Sequence, residues 1–181
     1  MRAHTRRLFF ALWPEPAARH ALLEACAGPL AAAGGRAVPP ENLHATLLFL
    51  GAVTPEHAPL ASAVAHAAAG AVPAAERALR LELTRLAYWR GAGVLAALGT
   101  ASPGVLRLAA ALRTAAQPHF RLEARPYRAH VTVARHVVRP ARLGRIEPVD
   151  WRFVAFTLVE SRSAPGGSLY SVLETHPLFS L

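Results

Sequence analysis

The sequence predicts an α+β fold whose β-sheets are largely antiparallel. Segments typical of helices and of strands alternate along the 181 residues, and the last strands are close enough to form hairpins. Hydrophobic residues make up 53% of the chain, which is enough to bury a core. Two similar His-x-Thr segments lie about half a chain length apart, which fits two similar halves. We therefore expect one domain, residues 1–181, built from two lobes.

Proline and glycine mark the limits of the predicted helices. Each helix follows a proline placed where the missing backbone N–H costs nothing, and Gly34 and Gly35 end the first helix. Thr54 and Ser102 are suited to cap the second and third helices. The predicted helices are residues 17–33, 55–69 and 103–116.

Apolar, β-branched and aromatic residues in short runs predict the strands. The predicted strands are residues 7–13, 44–50, 78–88, 94–99, 129–137, 151–161 and 169–174. Loops are expected at 36–43, 88–93 and 139–144, and a turn is expected at Gly166 and Gly167.

The two His-x-Thr triplets each enter a predicted strand after a loop that contains proline. His44 and Thr46 form the first pair, and His130 and Thr132 form the second. Successive side chains of a strand point to opposite faces, so the histidine and threonine of each triplet share a face. Two such strands facing one cleft would supply two imidazoles for proton transfer and two hydroxyls for an oxyanion. A single triplet of this kind is more often structural than catalytic, whereas two copies in the same context indicate a functional pair.

The segments around these triplets resemble a known family. Residues 38–47 (VPPENLHATL) and 125–135 (RPYRAHVTVAR) are similar to the two motifs of the 2H phosphoesterases, and residues 7–12 (RLFFAL) to the first strand of that family. Within this family the resemblance is to the bacterial RNA 2′,3′-cyclic phosphodiesterases, also called 2′-5′ RNA ligases. It implies two lobes related by a pseudo-two-fold axis, with the motif strands facing a central groove.

The resemblance also implies roles for individual residues. His44 would be the proton donor and His130 the proton acceptor, and Thr46, Thr132 and Arg135 would bind the phosphate. Arg135 has the opposite strand parity to His130, so it can reach the cleft only if the strand bends, bulges or ends near Ala134. Arg125 and Arg128 are the alternatives if Arg135 points away.

Aromatic residues near the motifs are candidates for stacking on a nucleobase. Phe9 and Tyr127 are the main candidates, and Phe10 and Tyr170 lie in similar segments. For each of them burial in the core is the competing interpretation.

Composition limits the other chemistries. The formal net charge is +9 and every basic residue is arginine, which is mild support for an anionic partner such as RNA. Cys26 is the only cysteine and Asp150 the only aspartate, so we expect no metal and no other cofactor. No apolar run approaches the roughly 20 residues of a membrane span, and no signal peptide is evident. We expect a cytoplasmic monomer that makes no membrane contact.

The leading hypothesis is a metal-independent hydrolase that opens RNA 2′,3′-cyclic phosphate ends, or cyclic nucleotides, to 2′-phosphomonoesters. Joining of RNA ends by a 2′-5′ linkage could use the same site. Two alternatives stay open at this point. One is a hydrolase of another small cyclic phosphate or of a 2′-5′-linked oligonucleotide, and the other is a non-catalytic protein that binds RNA ends.

Overall fold

Two antiparallel sheets and three α-helices form the structure, a computed structural model that describes residues 5–138, 143–165 and 167–178. The predicted α+β class is confirmed. The strands are β1 (Arg6–Leu12), β2 (Arg36–Ala37), β3 (Ala45–Val53), β4 (Leu79–Trp89), β5 (Val94–Ala101), β6 (His130–Arg135), β7 (Arg145–Phe153), β8 (Ala155–Ala164) and β9 (Gly167–Pro177). The helices are α1 (Pro16–Ala33), α2 (Ala58–Gly70) and α3 (Pro103–Ala116).

The two motif strands belong to different sheets. The first sheet has the order β3-β1-β8-β9, and the second has the order β2-β6-β5-β4-β7. β3 is therefore an edge strand, and β6 is covered on its outer side only by the two residues of β2. All the strand pairs in both sheets are antiparallel.

The helices cover the sheets and join them through one core. α1 packs on β6 and β7, where the indole N–H of Trp151 donates to the carbonyl oxygen of Ala18 at 2.8 Å. α2 packs on β8 and β9, and α3 packs on α2, β3 and β4. A single hydrophobic cluster contains Phe10 and Leu48 of the first sheet together with Leu81 and Val131 of the second. Burial of this shared apolar surface fixes the two motif strands relative to each other.

The predicted helices are present, with small differences at their ends. α1 ends at Ala33 because Gly34 takes a left-handed conformation, with φ of 62°. α2 begins at Ala58, later than predicted, because residues 55–57 form a separate 3₁₀ turn. Ser102 precedes α3 as expected, but its hydroxyl accepts a hydrogen bond from the Arg80 backbone N–H at 3.0 Å and makes no cap.

The strand predictions were wrong in two places. Residues 36–37 lie in a predicted loop, yet they form β2 by pairing with β6. The predicted strand 151–161 is two strands, and β7 already begins at Arg145. Pro148 lies inside β7, which is possible because β7 is the edge strand of its sheet. Residues 139–142 of the predicted loop and Gly166 of the predicted turn lie outside the described residues.

No helix in the described part of the chain is long and apolar enough to cross a membrane.

Candidate active site

One residue of each His-x-Thr motif lines the same cavity, and the other motif residues lie beside it, on or directly before the same strands. His44 lies immediately before β3, and His130 is the first residue of β6. A cavity of about 880 Å³ between these strands is lined by Thr46 of the first motif and His130 of the second. The cavity is therefore built from both halves of the chain, as the facing motif strands predict.

Each imidazole is held by the same local hydrogen bond. Nδ1 of His44 donates to the carbonyl oxygen of Asn42, and Nδ1 of His130 donates to that of Arg128, both at 2.8 Å. A carbonyl oxygen can only accept, so the proton of each neutral ring is on Nδ1. Nε2 of each ring is consequently the atom that can accept a proton, or donate one once the ring is charged.

Aromatic rings enclose the two histidines. The Trp13 ring is stacked parallel to the His44 ring, with centroids 4.9 Å apart and an interplanar angle of 1°. Phe9 and Tyr170 close two further sides of His44, with centroid distances of 5.1 and 5.0 Å. Trp89 packs against His130 at 4.6 Å. These rings hold the orientation of each imidazole and remove water from it.

Burial and neighbouring charges lower the pKa of both histidines. Burial, with smaller contributions from the positive charges of Arg135 and His130, lowers the pKa of His44 from 6.5 to about 4. The pKa of His130 is also lowered, first by burial and then by the charge of Arg128. His44, His130 and Arg135 are thus close enough for their charges to act on one another. In the free protein both imidazoles are neutral near pH 7.

The two threonine hydroxyls are available to a ligand. Thr46 and Thr132 are half-buried, each two residues after its histidine. Among the described residues, neither hydroxyl makes a hydrogen bond to the protein. Both can therefore donate to an oxygen placed between the motif strands.

A β-bulge follows the threonine of each motif. In β6 the paired residues step from Thr132 to Ala134 while the partner strand advances by one residue. In β3 they step from Thr46 to Leu48 opposite Phe10 and Ala11. Each bulge places two consecutive buried residues in the core, after which the alternation of side chains is reversed.

The bulges decide which side chains reach the cleft. The bulge in β6 returns Arg135 to the face of His130, which removes the parity conflict noted in the sequence. The charge of Arg135 acts on His44, which agrees with this placement. The equivalent residue of β3, five positions after His44, is Phe49. Phe49 is 55% exposed and lines the cavity, so it offers a free aromatic face.

The structure separates the predicted stacking candidates. Phe9 is only 1% exposed, and its ring packs against the ring of His44. It has no exposed face for a nucleobase, so the prediction that Phe9 stacks on one was wrong. Phe10 is fully buried against Phe156. Tyr170 is half-buried with its ring against His44. Tyr127 is half-buried, lines the cavity and stays a candidate; burial raises the pKa of its hydroxyl.

Three residues at the site were not predicted from the sequence. Phe49 could have been found, because it has the same offset from His44 that Arg135 has from His130. No comparable signal marks Trp13 or Trp89, because their contacts with the histidines join segments that are far apart in the sequence. Within the described residues, no three His, Cys, Asp or Glu side chains are grouped so as to hold a metal ion.

Comparisons with known proteins identify the class. A family model described as LigT like Phosphoesterase matches residues 12–94. An RNA 2′,3′-cyclic phosphodiesterase of Thermus thermophilus is 35% identical over 191 aligned residues, which cover 95% of this chain and 90% of that protein. The structure of E. coli LigT complexed with 3′-AMP matches with a TM-score of 0.81 and 28% identity, covering 98% of this chain and 100% of that chain. A crystal structure of a phosphoesterase matches with a TM-score of 0.83 and 26% identity over the same shares.

The chain belongs to the LigT-like phosphoesterases, the 2H phosphoesterase family that its two His-x-Thr motifs indicate. It has the fold of that family over nearly its whole length.

Proposed function

We propose that this protein is a metal-independent RNA 2′,3′-cyclic phosphodiesterase that produces a 2′-phosphomonoester end. The observation that carries the proposal is the pair of imidazoles with Nδ1 anchored and Nε2 free, on strands that share one cavity. The name of the Thermus relative supports the same substrate.

The reaction requires one acid and one base on opposite sides of the phosphorus. Nε2 of His130 takes a proton from a water molecule, whose oxygen forms a bond to phosphorus. The bond from phosphorus to O3′ breaks, and Nε2 of His44 gives its proton to O3′. Resemblance to the family supports this assignment of roles. Arg135 supports it as well, since it follows His130 on the same strand and would hold the phosphate beside the water.

His44 must carry a proton to act as the acid, although the free protein holds it neutral near pH 7. A bound cyclic phosphate brings a negative charge next to the imidazole, and an opposite charge at that distance raises a histidine pKa. The face of Trp13 also favours the charged ring, because a cation is attracted to an indole face. Substrate binding thus prepares His44 for proton donation.

Three donors are placed to stabilise the phosphate as its charge redistributes. Thr46 and Thr132 would each donate one hydroxyl hydrogen bond to a non-bridging oxygen. Arg135 would add a charged bidentate contact, for which its side chain is free because the guanidinium makes no ion pair or hydrogen bond among the described residues.

Phe49 is the residue that we expect to stack on the terminal nucleobase. It is exposed, it lines the cavity with His130, and its ring is supported from behind by Phe9 at 5.4 Å. Tyr127 lines the same cavity and is the second candidate.

We also expect a cytoplasmic monomer that folds as one domain of two lobes. A monomer is supported by the cavity, because one chain contributes Thr46 of the first motif and His130 of the second to its lining. The hydrophobic cluster that joins both sheets supports a single domain.

The test is hydrolysis of a short RNA with a 2′,3′-cyclic phosphate end and of nucleoside 2′,3′-cyclic phosphates, with and without EDTA. We expect a 2′-phosphate product whose formation EDTA does not prevent. His44→Ala and His130→Ala should each lower kcat by about 10²- to 10⁴-fold, because each removes one proton-transfer group.

Other results would point to other functions. Binding of the RNA without turnover would indicate an RNA-end binder. Turnover of 2′-5′-linked dinucleotides alone would indicate the alternative hydrolase, and loss of activity in EDTA that a divalent ion restores would overturn the metal-independent mechanism.

A further inference from the structure

Five of the described arginines outside the cavity pair with carboxylates. Glu160 pairs with Arg6 and Arg162, and Asp150 pairs with Arg80 and Arg152. Arg107 pairs with Glu76 through two hydrogen bonds. None of the residues in these clusters lines the cavity that holds the two motifs.

The cavity groups several arginines with a single carboxylate among its described lining residues. Four arginines line the cavity on the side of His130, and we call them the arginine rim: Arg90, Arg113, Arg125 and Arg128. Among the described residues, Glu123 is the one carboxylate in the cavity lining. Arg90 and Arg128 make no ion pair in the described part of the chain. Arg125 meets Glu123 at 3.6 Å, but both side chains are more than three-quarters exposed, so water screens the pair.

Two arginines of the rim are held by contacts with the protein. Arg113 extends from α3 and donates to the backbone carbonyl of Arg125 at 2.9 Å, which holds the loop before β6. The Arg128 guanidinium lies over the Trp89 ring, 5.8 Å from its centroid, and that ring packs on His130. The loop before β6 therefore carries positive charge from Arg128, beside His130, back to Arg125, with Arg113 of α3 next to it.

We propose that the arginine rim binds the phosphates of the RNA chain on the 5′ side of its cyclic phosphate end. This inference rests on the proposed function. A cyclic mononucleotide would occupy the histidines, the threonines, Arg135 and Phe49, and it has no further phosphate to offer the rim. Unpaired guanidinium groups beside a reaction site are suited to successive phosphates. The cavity volume of about 880 Å³ also leaves room beyond one nucleotide.

The experiment compares two substrates in three proteins. The substrates are a nucleoside 2′,3′-cyclic phosphate and a single-stranded tetranucleotide with the same terminal nucleotide and a 2′,3′-cyclic phosphate. The proteins are the wild type, the rim variant Arg90→Gln/Arg125→Gln, and a control variant Arg107→Gln/Arg152→Gln. The control loses the same charge from exposed positions outside the cavity.

The readout is the ratio of kcat/KM for the tetranucleotide to kcat/KM for the mononucleotide. We expect the rim variant to lower this ratio by about tenfold, and to reduce the slope of log(kcat/KM) against log(salt) by about 0.7 for each lost phosphate contact. The control variant should keep the wild-type ratio. An equal ratio in all three proteins would overturn the proposal, because the rim would then make no contact with the chain.

Binding of a tetranucleotide that ends in a 2′-phosphate, measured by fluorescence anisotropy, separates the rim from the chemistry. If the wild type hydrolyses neither substrate, the proposed function fails, and the anisotropy still decides the role of the rim. Weaker binding by the rim variant than by the control supports the proposal, and equal binding overturns it.

Discussion

The lowered pKa values of the two histidines predict an unusual pH dependence of kcat/KM. This parameter reports the ionisation of the free enzyme, in which one imidazole must be charged and the other neutral. With a pKa of about 4, His44 is protonated in about one molecule in 1,000 at pH 7. Protonating it at this pH therefore costs a free energy of about 4 kcal/mol. The pKa of His130 is lowered as well, below its usual 6.5. We therefore expect kcat/KM to be highest between about pH 4 and the pKa of His130, and to fall about tenfold per pH unit above that range.

The optimum of kcat should lie at higher pH than that of kcat/KM. Substrate phosphate raises the pKa of both imidazoles, and kcat reports the ionisation of the complex. The assay is hydrolysis of a cyclic mononucleotide at constant ionic strength from about pH 4 to about pH 9, with circular dichroism as the check that the protein stays folded. The reasoning would be refuted by coinciding optima of kcat and kcat/KM, or by a kcat/KM that keeps rising above neutrality.

The remaining predictions concern residues of the same site. A nitrophenyl phosphodiester has a better leaving group than ribose O3′, so it should restore much of the activity of His44→Ala and little of that of His130→Ala; rescue of His130→Ala would reverse the roles. Phe49→Leu should raise KM by about tenfold while Phe49→Tyr stays near wild type, since stacking on an aromatic ring is worth about 1–3 kcal/mol per base; equal KM values for both variants would remove the stacking role. The folded pKa of His44 lies below its unfolded value of 6.5, so the unfolded chain binds more protons than the folded protein between pH 6.5 and about 4. The free energy of unfolding therefore keeps its full value above pH 6.5. It should fall by about 3 kcal/mol as the pH falls from 6.5 to about 4. Urea unfolding measures this, and His44→Ala should make the dependence shallower; an unchanged slope would contradict burial of a neutral His44.

Local chemistry along the chain was enough to predict most helices and the position of the motifs. Helix ends follow from the residue itself, as at Gly34, where a left-handed conformation is needed, and at Pro103, where a missing N–H costs nothing. The shared face of His44 and Thr46 follows from the period of a strand, which holds before any bulge begins. The sequence by itself therefore determined the α+β class and the four motif side chains.

Only the tertiary structure decided which other side chains join the site. A bulge exists only in the pairing of two strands, so the placement of Arg135 and Phe49 depends on β5 and β1, which lie elsewhere in the chain. β2 is likewise a strand only because β6 lies beside it, and Pro148 is tolerated in β7 only because that strand is at an edge. The same reason separates Phe9 from Phe49: both are aromatic residues in strands, and their exposure of 1% and 55% is set by what packs over each ring. The low pKa of His44 is decided in this way too, since it comes from burial among rings that separate segments of the chain bring together.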